Sequence, residues 1–241
     1  MKTIDLTTNV PLRTFNIHKW RGAIIEKVLQ NKEVFENAGI RTDVFHNHNE
    51  KQWNDAKVSK EQIKLSRYPM IQYRSLGGNA GIFGVGEGAE ALRIFESLDD
   101  ASISVGGEEY TSVDVRTQKN EWKPVLSDKL MTYSIRQWIP FSPVKFEQWK
   151  KNQRLLKRVE LADRALFGHF FHMMDDLGVF VERNRLELFV SAIQHEQFVN
   201  CFGVKKMALD VEVMTNCMLT ESIGIGQGVS LGFGKIKRID L

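Results

Sequence analysis

The chain has 241 residues, 42% hydrophobic and 26% charged, with a net charge of +3, which fits one large domain or two of about 100–120 residues. A charge that small leaves any polyanion partner to a local patch, and no apolar run approaches the ~20 residues that span a bilayer. The polar start MKTIDLTTNV reads as no signal peptide, and Cys201 and Cys217 show neither ligand spacing nor a disulfide framework, so the expected setting is a reducing cytoplasm.

Residues 2–8 (KTIDLTT) alternate as a strand does, and 17–31 (IHKWRGAIIEKVLQN) carry apolar positions at helical spacing. Segments 68–74 (YPMIQYR) and 80–85 (AGIFGV), joined by Gly77-Gly78-Asn79, read as a β-hairpin. A short helix over 87–95 and strand over 102–117 complete a β-α-β-β-α-β order. The stretch 118–126 (QKNEWKPVL) is the expected boundary, dividing the chain into 1–122 and 123–241.

A second round starts with strand 129–139. A helical region over 143–177 follows, with a break near Gln153. Strand 186–193 and the alternating stretch 199–219 come next, then a glycine-rich segment and a last strand at 235–239. The order predicts an α+β protein of two tandem ferredoxin-like modules, the second an imperfect copy.

Four features are candidates for chemistry. The final segment holds Gly224, Gly226, Gly228, Gly232 and Gly234, followed by Lys235, Lys237 and Arg238. No Lys-Ser/Thr pair follows the glycines, so a P-loop is excluded. Successive backbone amides there would suit phosphate oxygens, while a bulged turn between strands is the plain alternative.

In VFHNHNE, His46 and His48 lie two residues apart and share a side in extended backbone. Metal binding, acid–base catalysis and a polar loop with incidental histidines all remain open. The third feature, GVGEGAEAL (84–92), formally fits a dinucleotide fingerprint through Gly84, Gly86 and Gly88, but a hairpin precedes it and another follows its helix. The last, 145–158 (KFEQWKKNQRLLKR), sets six cations against Glu147 alone. Lys150, Lys151 and Arg154 lead its polyanion-facing reading, with a merely solvated face as the alternative.

Together these residues resemble a known family. IGIGQGVSLGFGKI looks like the glycine-rich signature of the repeat-associated (RAMP) CRISPR proteins, nearest to their pre-crRNA-processing endoribonucleases, the sixth-numbered CRISPR-associated (Cas) family. LRTFNIHKWRGAIIEKV, FHNHNE, RYPMIQYR with GVGEGAEAL, and RQWIPFSPVKFEQWKK look like successive blocks of its b-type members.

The resemblance implies two ferredoxin-like (RRM-like) domains and a cytoplasmic enzyme that cuts CRISPR repeat RNA without metal or cofactor. The RNA's own 2′-hydroxyl would attack, leaving a 2′,3′-cyclic phosphate and a 5′-hydroxyl. His46 and His48 would match the catalytic pair. Lys27 or Lys32 would supply a cation, Tyr68 would orient the phosphate, and the terminal glycines with Lys235 would meet RNA. Other Cas proteins of an effector complex, or a second copy of the chain, are implied partners. The polar insertion at 49–66 departs from the family pattern. A non-catalytic RAMP subunit that only holds crRNA, and a nucleotide-dependent enzyme built on Gly84, Gly86 and Gly88, are the alternatives.

Overall fold

The computed structural model describes residues 1–13, 17–46, 67–98, 102–111 and 113–239. They divide into two compact units, Met1–Glu121 and Trp122–Leu241. Among the described residues no helix is long and apolar enough to cross a membrane.

In the first unit, β1 (Lys2–Pro11) leads to helix α1 (Ile17–Gln30), a short α2 (Lys32–Asn37) and a 3-10 turn at Thr42–Phe45. The hairpin β2 (Ile71–Leu76) and β3 (Asn79–Val85) follows, then α3 (Glu87–Glu96), β4 (Ile103–Val105), β5 (Glu108–Tyr110) and β6 (Val115–Glu121). The main sheet has the order β2-β3-β1-β6 and every neighbour is antiparallel. On α1, Ile17, Trp20, Ala23, Ile24, Lys27 and Val28 are buried, the three- and four-residue spacing of a helix face laid on a core. Trp20 takes its indole N–H inside with it, donating to the Gly81 carbonyl at 3.1 Å, which removes the cost of an unpaired buried donor.

Two glycines of GVGEGAEAL, Gly84 and Gly88, serve packing. A Cβ on Gly84 would lie 2.6 Å from the Gly88 carbonyl oxygen, and one on Gly88 would lie 2.1 Å from that of Met70. Helix α3 therefore sits against β3 and the start of β2 at a distance only hydrogen side chains allow.

The hairpin expected after α3 is present as β4 and β5, which form their own two-stranded sheet, and the rest of the strand region, β6, begins at Val115. Residues 118–121 are not linker. They belong to β6, an edge strand with a mostly exposed, polar sequence that pairs antiparallel to β1. Edge strands need no apolar alternation, so the pattern looked like loop.

In the second unit, β7 (Leu126–Trp138) is followed by α4 (Pro143–Lys151) and α5 (Leu155–Asp176), broken at 152–154 as expected. The long hairpin β8 (Leu188–Cys201) and β9 (Val204–Cys217) comes next, then the glycine-rich segment and β10 (Lys235–Arg238). The sheet order is β10-β7-β9-β8, again antiparallel throughout. Both units are ferredoxin-like, and the second has the glycine-rich segment where the first has α3. That segment keeps one turn of 3-10 helix, Val229–Leu231. Strand β8 runs eight residues past the predicted end, since polar Gln194, His195 and Glu196 hide its continuation. Trp122 packs on this unit and donates from its indole to the Met218 carbonyl at 2.9 Å.

Candidate active site and nucleic-acid interface

In the first unit the chain reaches His46 through the 3-10 turn. Phe45, only 2% exposed, anchors that turn by stacking edge-on against Phe35, with ring centroids 5.6 Å apart, and tilted against Phe95 at 6.4 Å. An Arg41–Asp43 ion pair braces its entrance. With Phe45 fixed inside, His46 emerges half-buried at the rim.

Two consecutive carbonyls are then clamped from different elements. The Tyr73 hydroxyl of β2 donates to the Phe45 carbonyl at 3.1 Å, and the Arg21 guanidinium of α1 donates to the His46 carbonyl at 2.7 Å. Burial pushes the Tyr73 phenol well above its ordinary pKa, opposed in part by the nearby Arg21 charge, so the hydroxyl stays a donor. His48 lies outside the described residues, as does the insertion 49–66.

Of the other residues expected around the histidines, Lys27 and Tyr68 turn inward and Lys32 does not. Lys27 is 6% exposed, and its ammonium donates to the Ser102 carbonyl at 3.0 Å. Tyr68 is 5% exposed, and its hydroxyl accepts from the Gln72 side-chain amide at 2.8 Å. Lys32 is exposed and pairs with Glu36 one turn on, at 3.4 Å. Arg21 and Tyr73 were missed because their tie to His46 runs through backbone carbonyls, which leave no residue pattern to read.

In the second unit the glycine-rich segment folds back on itself. Ile225 donates its amide to the Gly234 carbonyl, and Ile236 donates to that of Ile223, both at 2.9 Å. Segment 223–225 thus lies antiparallel to 234–236, while Ile223, Ile225, Val229, Leu231, Phe233 and Ile236 are buried. Gly234 (φ 69°) lies where a Cβ would be 1.9 Å from the Ile225 carbonyl oxygen, and a Cβ on Gly226 (φ 99°) would meet the Trp138 indole at 2.6 Å. These positions require glycine for shape.

Gly224 bridges to Lys235, which pairs in turn with Arg136 of β7. Gly232 closes the 3-10 turn in left-handed conformation. Among the described residues, the amides of half-exposed Gly226 and Gly228 donate to no protein acceptor.

Trp138 is aimed by a bulge. Gln137 has φ 50°, and Asp210 holds it there, accepting from the Gln137 amide at 2.7 Å and from Arg136 at 3.1 Å. Beyond the bulge the Trp138 indole donates to Nδ1 of His169 on α5 at 3.3 Å. Burial, and secondarily the neighbouring His172, lowers the His169 pKa to about 4, so the ring is neutral with its proton on Nε2.

The basic run spans two helices rather than one face. Ser142 caps α4, accepting from the Lys145 amide, and Asn152 ends it. Lys150 then pairs with Glu147 at 2.6 Å, Lys157 with Glu160 at 2.9 Å and Arg158 with Glu196 at 3.0 Å. Lys151 and Arg154 are exposed and have no carboxylate partner among the described residues. Trp149, within this run, is 1% exposed and packs against Phe141 with centroids 5.0 Å apart.

Two family models match the chain, the Cas6b N-terminal domain over residues 1–122 and the Cas6b C-terminal domain over 125–239. Solved structures agree in fold. A structure described as Cas6b superposes with a TM-score of 0.74 at 22% identity, covering 99% of this chain and 100% of that one. A CRISPR RNA processing endoribonuclease Cas6b superposes at 0.64 with 21% identity and the same coverage. Csf5, a type IV Cas6 crRNA endonuclease, superposes at 0.58 with 12% identity, covering all of both chains. No curated protein sequence matches.

Proposed function

This chain belongs to the Cas6b family, and from that premise we propose that it is an endoribonuclease that cuts CRISPR repeat RNA to crRNA by metal-independent acid–base chemistry. One imidazole of the His46/His48 pair takes the proton of a ribose 2′-hydroxyl. The 2′-oxygen attacks the adjacent phosphorus, the P–O5′ bond breaks, and the other imidazole protonates the departing 5′-oxygen. The products are a 2′,3′-cyclic phosphate and a 5′-hydroxyl.

Proton transfer of this kind contributes about 10²–10⁴-fold, and holding the 2′-oxygen in line with phosphorus supplies much of the rest. The observation that carries the reading is the clamp on Phe45 and His46, which fixes the backbone from which the first imidazole projects. Arg21 and Tyr73 act as positioning residues. In the second unit, the Gly226 and Gly228 amides, Lys151 and Arg154 are offered to phosphates, with Lys235 on β10, opposite Gly224, and Lys150 in partial reserve against Glu147.

The test is incubation with the repeat RNA of its own CRISPR array in EDTA, beside a control carrying 2′-deoxyribose at the cut site. Cleavage of the RNA to a cyclic phosphate, with the control intact and His46→Ala and His48→Ala each inactive, is the expected result. Cutting of the deoxy control, or a need for a divalent ion, would overturn the mechanism. Binding without any cleavage would favour the crRNA-holding alternative.

A further inference from the structure

The β8–β9 hairpin ends in a two-residue turn, Phe202-Gly203, because Cys201 pairs with Val204. Both turn residues have positive φ, 53° and 76°, the backbone of a type I′ turn whose first position ordinarily takes Asn, Asp or Gly. A bulky aromatic in that conformation is an outlier that invites a functional account. Burial does not offset the strain, since Phe202 is 52% exposed.

The surroundings are aromatic and cationic. Phe198, 56% exposed, packs edge-to-face on Phe146 of α4 with centroids 5.9 Å apart. The Lys205 ammonium lies 4.8 Å from the Phe198 ring centre, and that of Lys150 lies 5.0 Å from Phe146. The segment 197–206 (QFVNCFGVKK) contains Lys205 and Lys206 and no carboxylate. Lys206 donates to the Gln227 side chain at 2.9 Å, and Cys201 Sγ would lie 2.8 Å from a Cβ on Gly228. The tip therefore lies between the glycine turn and the basic helix, the two features that sequence alone set far apart.

We propose that this hairpin tip is a stacking platform for an unpaired RNA base. Phe202 offers the ring face, and Lys205 and Lys206 hold the flanking phosphates. The proposal rests on the RNA-binding reading above and adds to it a site for single-stranded rather than paired RNA. Exposed aromatic faces interleaved with cations, and free of carboxylates, fit that occupant. Phe198 is the support, since Phe146 and Lys205 already cover its ring.

The experiment is fluorescence anisotropy of the full chain in a His46→Ala background. The probe is its repeat RNA, single-stranded or annealed to its complement, across a salt series. Phe202→Asn is expected to weaken single-strand binding about tenfold. Duplex affinity and the salt slope should not change, because no charge is lost. Its thermal midpoint should hold or rise, since Asn-Gly suits the turn.

Phe202→Trp should retain affinity, whereas Phe202→Leu, equally strained and apolar but without a flat face, should lose it. Parent-like binding by Phe202→Asn, or retained affinity in Phe202→Leu, overturns the platform while leaving RNA binding intact. If the His46→Ala chain itself binds neither form of RNA, the RNA reading falls and the platform with it.

Discussion

Arg21, in the middle of α1, donates a 2.7 Å hydrogen bond to the backbone carbonyl of His46, 25 residues further along the chain. A guanidinium–carbonyl bond is charge-assisted and contributes about 1.5–3 kcal/mol. Arg21→Ala should therefore slow single-turnover cleavage at saturating repeat RNA roughly ten- to a hundredfold, with RNA affinity little changed. Arg21→Lys should recover part of the rate. A variant that melts earlier but cuts at the parent rate would reduce Arg21 to a structural contact.

Tyr73 supports the neighbouring carbonyl from a fully buried position. Tyr73→Phe keeps the ring and leaves the Phe45 carbonyl without that donor, at a cost of about 1–3 kcal/mol. Urea denaturation at neutral pH measures the loss directly, and an unchanged midpoint would mean another donor takes over.

Glycines of the second unit should grade their substitutions by what a methyl group meets. Gly234→Ala collides with backbone 1.9 Å away and should leave the second unit unable to fold stably, whereas Gly226→Ala meets a side chain at 2.6 Å. That collision, added to the strain of a φ of 99°, should cost about 2–4 kcal/mol. Gly203→Ala meets nothing within 4 Å and should cost only its positive φ, about 1 kcal/mol. Thermal melts of the three variants should keep that order.

His169 makes stability pH-dependent. The folded chain keeps this imidazole neutral down to about pH 4, while the unfolded chain protonates it near 6.5. Protons therefore bind preferentially to the unfolded state in that window, and stability falls as pH drops through it. The loss attributable to His169 should be on the order of 2 kcal/mol, allowing for solvent at its partly open side. His169→Gln, which can still accept from Trp138, should flatten that part of the curve. Parallel urea titrations at pH 7 and 4.5 would measure the difference.

The basic run should separate its members by salt dependence. Lys151→Ala and Arg154→Ala should each reduce the slope of log affinity against log salt by about 0.7, the single-strand value per phosphate contact. Lys150→Ala should reduce it less, because Glu147 already sits 2.6 Å from that ammonium. If the triple variant binds repeat RNA unchanged at every salt concentration, the run is only a solvated face.

Where side chains alternate or recur at helical spacing, the fold was legible: β1, α1, the β2–β3 hairpin, α3 and the break before α5 all carry that signal. Strand β6 did not, because an edge strand is specified by backbone pairing and its residues are free to be polar. The extension of β8 was hidden for the same reason. Around His46, proximity in sequence suggested Lys27, whose ammonium turns inward to Ser102, while Arg21 makes the bond to His46. Helical neighbours share a face only every third or fourth residue, and nothing in the letters says which face meets a turn some 25 residues on. For the glycines, spacing marked that something unusual was built there. It did not say that Gly226 makes room for an indole and Gly234 for a carbonyl.

Where the first unit lays a helix, the second lays a ribbon whose apolar side chains are buried and whose half-exposed glycines leave peptide groups at the surface. A helix shows a partner its residues and hides its peptide groups, whereas such a ribbon does the opposite. Selection can retune an exposed residue one letter at a time but cannot rewrite a peptide group, so this part of the surface is chemically frozen. Any drift toward a new repeat would have to be written elsewhere, on the hairpin tip and the lysines around it.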